Sequence, residues 1–203
     1  MTLTQQLKNE INNNYKDSLF TIKDFLNLGK YDTIKRLLIR FEKENYINRV
    51  IDGVYHKPKY SKLTNELVPI NPNDLANKIA DMYSWKIAPT GNFALNLIGL
   101  SEQVPTNYEY LSTGPYRSYH YGNKTIKFNN TRSNEINDLD DDIILIINAI
   151  KAIGKENINE KIINKIRKYI EVNKCQDILN QTSKITNWVY EVIKEVCSYD
   201  QIS

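Results

Sequence analysis

Apolar and polar positions along the chain alternate with helical and extended periods, in an order that predicts a compact N-terminal fold. Leu3, Leu7 and Ile11 recur at spacing four and predict a short helix over about 2–13, ended by Asn12-Asn13-Asn14. Ser18-Leu19-Phe20 reads as a short extended piece. Thr21, with Asp24 three residues on, predicts the cap of a second helix that carries Ile22, Phe25 and Leu26 inward and stops near Gly29. A third helix runs from Tyr31-Asp32 to about Glu44, with Ile34, Leu37, Leu38 and Phe41 at i, i+3, i+4 and i+7. Two β-prone runs then flank Asp52-Gly53, a dipeptide suited to a two-residue hairpin turn. Helix, strand, helix, tight turn, helix and hairpin in this order predict a winged helix-turn-helix over residues 1–62.

Prolines at 58, 69 and 72 mark 57–73 as a linker, so a second domain is expected over 70–203. It begins with a helix over 73–84 that places Leu75, Ile79 and Met82 on one face. Pro89-Thr90-Gly91 breaks the chain, and Thr90 can cap a short helix from Asn92 to Leu97 that ends at Gly99. Strands are expected over 108–111, 116–121 and 125–129, joined by Ser112-Thr113-Gly114-Pro115 and Gly122-Asn123. Their tyrosines, at period two, point to packing on one sheet face. From Leu139 onward the pattern is helical, over about 139–153, 156–171, 175–181 and 183–198. The fold class expected is therefore α+β and mostly helical: an N-terminal winged helix-turn-helix, then a mixed domain with a small antiparallel sheet and C-terminal helices.

Composition adds charge placement to this picture. The net charge of the 203 residues is only +3, yet residues 1–62 hold 12 Lys+Arg against 7 Asp+Glu, and the remainder holds 15 against 17. A basic first third on a near-neutral body implies a polyanionic partner for that third. The longest apolar run, Ile143–Ile147, is too short to span a bilayer, and the polar N-terminus lacks the apolar stretch of a signal peptide, so a cytoplasmic protein without membrane association is expected. Cys175 and Cys197 are far apart and are read as reduced thiols. His56 and His120 stand alone, so no metal is expected, nor any cofactor.

If the third helix enters the major groove, its apolar stripe faces the core and leaves Lys30, Tyr31, Thr33, Lys35, Arg36 and Arg40 on other faces. Arginine reads guanine in bidentate fashion, threonine touches a thymine methyl and lysine reaches phosphate. Arg49 at the wing, with Lys57, Lys59 and Lys62 after it, is placed to follow the DNA backbone. A winged helix used only for protein interaction is the alternative reading of the same elements.

No nucleotide-binding, hydrolase or zinc-protease motif is present, so no catalytic residue is assigned and the protein is not expected to be an enzyme. An enzyme targeted to nucleic acid or protein by its winged helix remains the second alternative. A nuclease would show an acidic residue and a Glu-x-Lys on adjacent strands, whereas the expected strands offer Glu109, Lys124 and Lys127 without that pairing. Asp138, Asp140, Asp141 and Asp142 are numerous enough to hold a divalent ion, but they sit where a helix begins, and complementing its dipole is the favoured reading. Thr90 and Gly91, and Ser112, Thr113 and Arg117, form two hydroxyl-bearing loops that are candidates for holding an anion or a partner, or are simply tight turns.

Several of these motifs together resemble the AbiEi-type antitoxins of bacterial type IV toxin–antitoxin (abortive infection) systems. They are Phe20-Thr21 through Asp52-Gly53-Val54-Tyr55, Ile87-Ala88-Pro89-Thr90-Gly91, Ala94 through Ser101, Gln103-Val104-Pro105 and Tyr110-Leu111-Ser112-Thr113-Gly114-Pro115. The similarity spans about residues 15–130. It implies a DNA-binding transcriptional autorepressor acting on operator repeats in double-stranded DNA. One winged helix covers only a small interface, so self-association on such repeats is expected as well. It also implies a role in phage defence, as the antitoxin opposing a nucleotidyltransferase-like toxin, with no stable complex between the two. The resemblance carries over no catalytic residue.

Overall fold

The computed structural model of the protein describes residues 1–15, 18–59, 63, 66–132, 136, 138–170 and 174–198. The expected contribution of Lys62, and the last residue of the helix read over 156–171, lie outside these residues. The chain is α+β. It divides into two compact units, residues 1–85 with 119–123, and residues 86–118 with 124–203.

The first unit opens with α1 (Leu3–Asn14), started by a reciprocal cap between Thr2 and Gln5. Strand β1 (Leu19–Thr21) leads into a 3₁₀ turn (Ile22–Phe25), then α2 (Tyr31–Lys43), β2 (Asn48–Ile51) and β3 (Val54–His56). The sheet order is β1-β3-β2, antiparallel throughout. Asp52-Gly53 forms the hairpin turn, with Gly53 at φ +81°, a conformation that favours glycine. Leu7, Ile11, Phe20, Phe25, Ile34, Leu38, Phe41 and Tyr55 share one core. Tyr15, Phe20 and Phe25 meet edge to face at 5.2–5.7 Å, a geometry that aromatic quadrupoles favour.

The second expected helix is a correction. Only one 3₁₀ turn forms, and the following residues continue as turns, with Leu26 N–H donating to the Lys23 carbonyl and Leu28 N–H to that of Phe25. The segment between Thr21 and Gly29 is too short to repay the nucleation of an α-helix, and i→i+3 bonds satisfy its backbone instead. At the end of α2, Asn45 takes φ +54° while Tyr46 N–H donates to the Phe41 carbonyl, a left-handed stop that asparagine tolerates.

Helix α3 (Pro72–Tyr83) starts on Asn71, whose side chain accepts from Asn73 N–H, with proline at the first helical position. Composition puts a boundary at the proline-rich stretch before this helix, but contacts divide the chain between Trp85 and Lys86, so α3 goes with the first unit. The physical reason is that α3 packs on β1 and its Lys78 pairs with Asp24 at 2.8 Å.

After Trp85 the chain forms β4 (Ile87–Thr90), α4 (Gly91–Leu97), β5 (Asn107–Ser112), β6 (Arg117–Tyr121) and β7 (Lys124–Asn130), followed by the helices, and all of these count with the second unit except residues 119–123 at the end of β6. The sheet order is β4-β5-β7-β6. This sheet is mixed rather than antiparallel, because β5 and β7 run parallel, Asn107 facing Thr125 and Ser112 facing Asn130. The loop after Ser112 spans the end of β7 instead of closing a hairpin. Thr131 N–H donates to the Ser112 carbonyl, and Asn130 Nδ2 donates to that of Gly114.

Strand β4 also corrects the expected chain break at Pro89. As an edge strand it tolerates a residue without an N–H. The Pro89 carbonyl accepts from the buried Asn148 Nδ2 at 2.9 Å. Tyr108 and Tyr110 are buried against Phe93, as the period-two pattern requires, whereas Tyr116 is exposed.

Helix α5 (Asp141–Ile153) is buried on all sides from Ile143 to Ile150 and forms the centre of a helical core. Around it lie α6 (Glu160–Tyr169), α7 (Cys175–Thr182) and α8 (Asn187–Cys197). The two cysteines are free thiols, both partly buried. Among the described residues, no helix is long and apolar enough to cross a membrane.

Candidate nucleic-acid interface

Helix α2 has 13 residues and buries Ile34, Leu38 and Phe41. At 100° per residue, the arc opposite that stripe carries Asp32, Lys35, Arg36, Ile39 and Lys43, all exposed. Among the described residues no carboxylate pairs with Lys30, Lys35, Arg36 or Lys43. Arg36 Nε donates only to the Asp32 carbonyl one turn back, at 3.3 Å. Lys30 and Tyr31 are exposed at the helix start, and Thr33 is half-buried there. Lys43 and the apolar Ile39 were not singled out by sequence reasoning. The signal was available, since Lys43 lies seven and eight residues beyond Arg36 and Lys35 and so returns to their face.

The structure separates the remaining cations from this set. Arg40 turns toward α1, donating to Thr4 Oγ1 at 3.1 Å and lying 3.5 Å from the Glu44 carboxylate. Lys57 donates to Asn12 Oδ1 and sits over the Tyr46 ring at 4.9 Å, fastening β3 to the end of α1. Arg49 is exposed near the hairpin tip and pairs with Asp52 three residues on. Below it Tyr55 is buried, and burial pushes its phenol above the ordinary range while the Arg49 guanidinium pulls it down. Lys59 is exposed beyond the end of β3. Of the ten residues expected to meet DNA, Lys62 lies outside the described residues, Lys30, Tyr31, Lys35 and Arg36 are exposed at the start and on the outer face of α2, and Arg40 and Lys57 are bonded to side chains of α1.

The two hydroxyl loops are not brought together. In the β4–β5 register Thr90 faces Glu109, whereas Ile87 faces Ser112, so the loops lie at opposite ends of the strand pair. Gly91 sits beside the Glu109 carboxylate, which repels an anion. Ser112 is fully buried and its Oγ accepts from Gly114 N–H at 3.0 Å. Thr113 Oγ1 accepts from Lys86 N–H, also at 3.0 Å. The Ser112 hydroxyl thus closes a turn and the Thr113 hydroxyl caps a distant backbone N–H, while Arg117 is exposed on β6. Glu109 and Lys127, on strands that lack the nuclease Glu-x-Lys pattern, form an ion pair at 3.6 Å across β5 and β7.

The molecule is thus an α+β protein whose small N-terminal unit presents the basic outer face of one helix. The chain belongs to DUF6088, a family of unknown function, whose model matches residues 6–178 and so spans parts of both units. No curated protein matches the chain.

Proposed function

We propose that the N-terminal unit is a winged helix that binds double-stranded DNA, and that the chain is a cytoplasmic transcriptional autorepressor rather than an enzyme. The observation that carries this reading is the outer face of α2, where Lys35, Arg36 and Lys43 stand exposed without a carboxylate partner among the described residues. A helix of this length fits the major groove, about 12 Å wide and 8.5 Å deep. Unpaired cations there meet phosphates without first breaking an ion pair. The hairpin that follows α2, with Arg49 near its tip, takes the place of a wing on the adjoining backbone.

The resemblance to AbiEi-type antitoxins supplies the biological setting: repression of the chain's own operon through repeated operator sites, and opposition to a nucleotidyltransferase-like toxin without a stable complex. The test uses the full chain and the DNA upstream of its own gene, with scrambled DNA as the control. Binding is expected to prefer the upstream fragment and to weaken steeply with salt, by about 0.9 in log–log slope per phosphate neutralised. Equal binding to both fragments, with no salt dependence, overturns the reading. Co-expression with the adjacent gene checks the antitoxin role, since rescue of growth is expected to survive variants of α2 that abolish repression.

A further inference from the structure

We propose that α3 is part of the DNA-reading unit, a strut whose Lys78 and Met82 are positioning residues that hold the 3₁₀ turn before α2 and the tip of the hairpin in one fixed relation. This rests on the DNA-binding reading of α2 given above.

Three contacts from α3 carry the inference, two to the 3₁₀ turn and one to the hairpin. Lys78 Nζ lies 2.8 Å from Asp24 Oδ2 and 3.1 Å from Oδ1, with both side chains largely shielded from solvent. The same Asp24 carboxylate accepts from Thr21 N–H at 2.6 Å and from Thr21 Oγ1 at 3.1 Å. It therefore sets the start of the turn that aims α2. One turn on, Lys23 Nζ donates to the Met82 carbonyl at 2.9 Å, placing a cation at the C-terminal end of α3, where the helix dipole favours it. The Met82 side chain reaches the other element. A Cβ added to Gly53 would come within 3.1 Å of Met82 Cε, so the methyl lies against the hairpin turn.

Val54 pairs with Thr21 in the sheet, but Asp52-Gly53 extends past β1, and α3 braces that overhang. A winged helix contacts DNA with two elements at once, so an error in their spacing weakens specific contacts before it weakens phosphate attraction. The strut thus supplies discrimination more than affinity.

The experiment uses the full chain. Duplexes are first selected from a random-sequence pool with the wild-type protein, and affinity is then measured by fluorescence anisotropy on a selected and a scrambled duplex. If wild type selects nothing and shows no salt dependence, the DNA-binding reading falls and the strut's role in reading DNA falls with it. If wild type discriminates, Lys78→Ala and Met82→Ala are each expected to reduce the selected-to-scrambled ratio about tenfold, as loss of a shielded charged hydrogen bond or a packed methyl allows. The salt slope should stay unchanged and Lys78→Arg should restore the ratio. Hydrogen exchange on the same variants is the second measurement. It should quicken over 20–29 and 49–55 together, while Leu7, Ile11 and Leu38 keep their protection. Discrimination and exchange that stay at wild-type values in both alanine variants would falsify the strut while leaving DNA binding intact. Protection lost everywhere at once overturns it as well, because α3 is then only part of the core.

Discussion

Helices α2 and α6 are both short, basic and amphipathic, but they engage their cations differently. On α2, Lys35, Arg36 and Lys43 share the outer arc without a carboxylate partner among the described residues. On α6, Arg167 donates to the carbonyls of Val196 and Glu195, capping the end of α8, and Lys165 donates to the Gly99 carbonyl. Only Lys161 and Lys168 of that stripe remain exposed and without a carboxylate partner among the described residues. The two helices look alike as periodic patterns, yet one presents its charge outward while the other ties part of it into its own unit. Spacing determines the face on which a cation lies. Whether an acceptor is within reach determines what the cation does.

The sharpest way to break this comparison is matched charge reversal. Lys35→Glu with Arg36→Glu is expected to weaken DNA binding by about 100-fold at low salt, since two phosphate contacts become repulsions. Lys161→Glu with Lys168→Glu should change it by no more than about threefold, the scale of a distant, screened charge. Anisotropy titrations on one duplex check both, and an equal loss from the two pairs would mean that net charge, not the geometry of α2, attracts DNA.

Next in size are the internal contacts of the second unit. Asn148→Ala removes the donor to the Pro89 carbonyl and leaves a gap in a buried helix, so it should cost about 2–3 kcal/mol in urea unfolding without altering DNA affinity. Arg167→Ala should cost about 1–2 kcal/mol, because the carbonyls at the end of α8 lose their cap to a half-buried guanidinium. Arg40→Ala should cost about 0.5 kcal/mol or less, since its partners Thr4 and Glu44 are exposed and solvent-screened. A larger loss of DNA affinity than of stability in Arg40→Ala would return that residue to the interface.

The smallest effect concerns pH. Burial, then the charges of Asp24 and Glu10, raise the Tyr15 phenol above its ordinary 10.0. The folded state therefore favours the neutral phenol. Its contribution is complete below pH 10 and is lost as pH rises through the raised folded value. Tyr15→Phe should flatten the alkaline limb of a stability–pH curve and leave the neutral region unchanged.

Much of the fold was determined by local sequence. The stripe Ile34, Leu38, Phe41 requires a helix with one buried face, and Asp52-Gly53 requires a tight turn, because each depends only on neighbours within a few residues. The same holds for the outward placement of Lys35 and Arg36. Four features were decided only by tertiary structure, and each rests on groups far apart in the chain. The Ser112–Pro115 loop looks like a hairpin turn but spans the end of β7, since a parallel partner for β5 comes from residues beyond the next strand. Pro89 sits in a strand because that strand is an edge and a helix residue 59 positions later donates to its carbonyl. Arg40 and Lys57 are bonded to Thr4 and Asn12 because α1 folds within reach of them. Helix α3 joined the N-terminal unit through Asp24, 54 residues before Lys78, a separation at which no periodic pattern carries information.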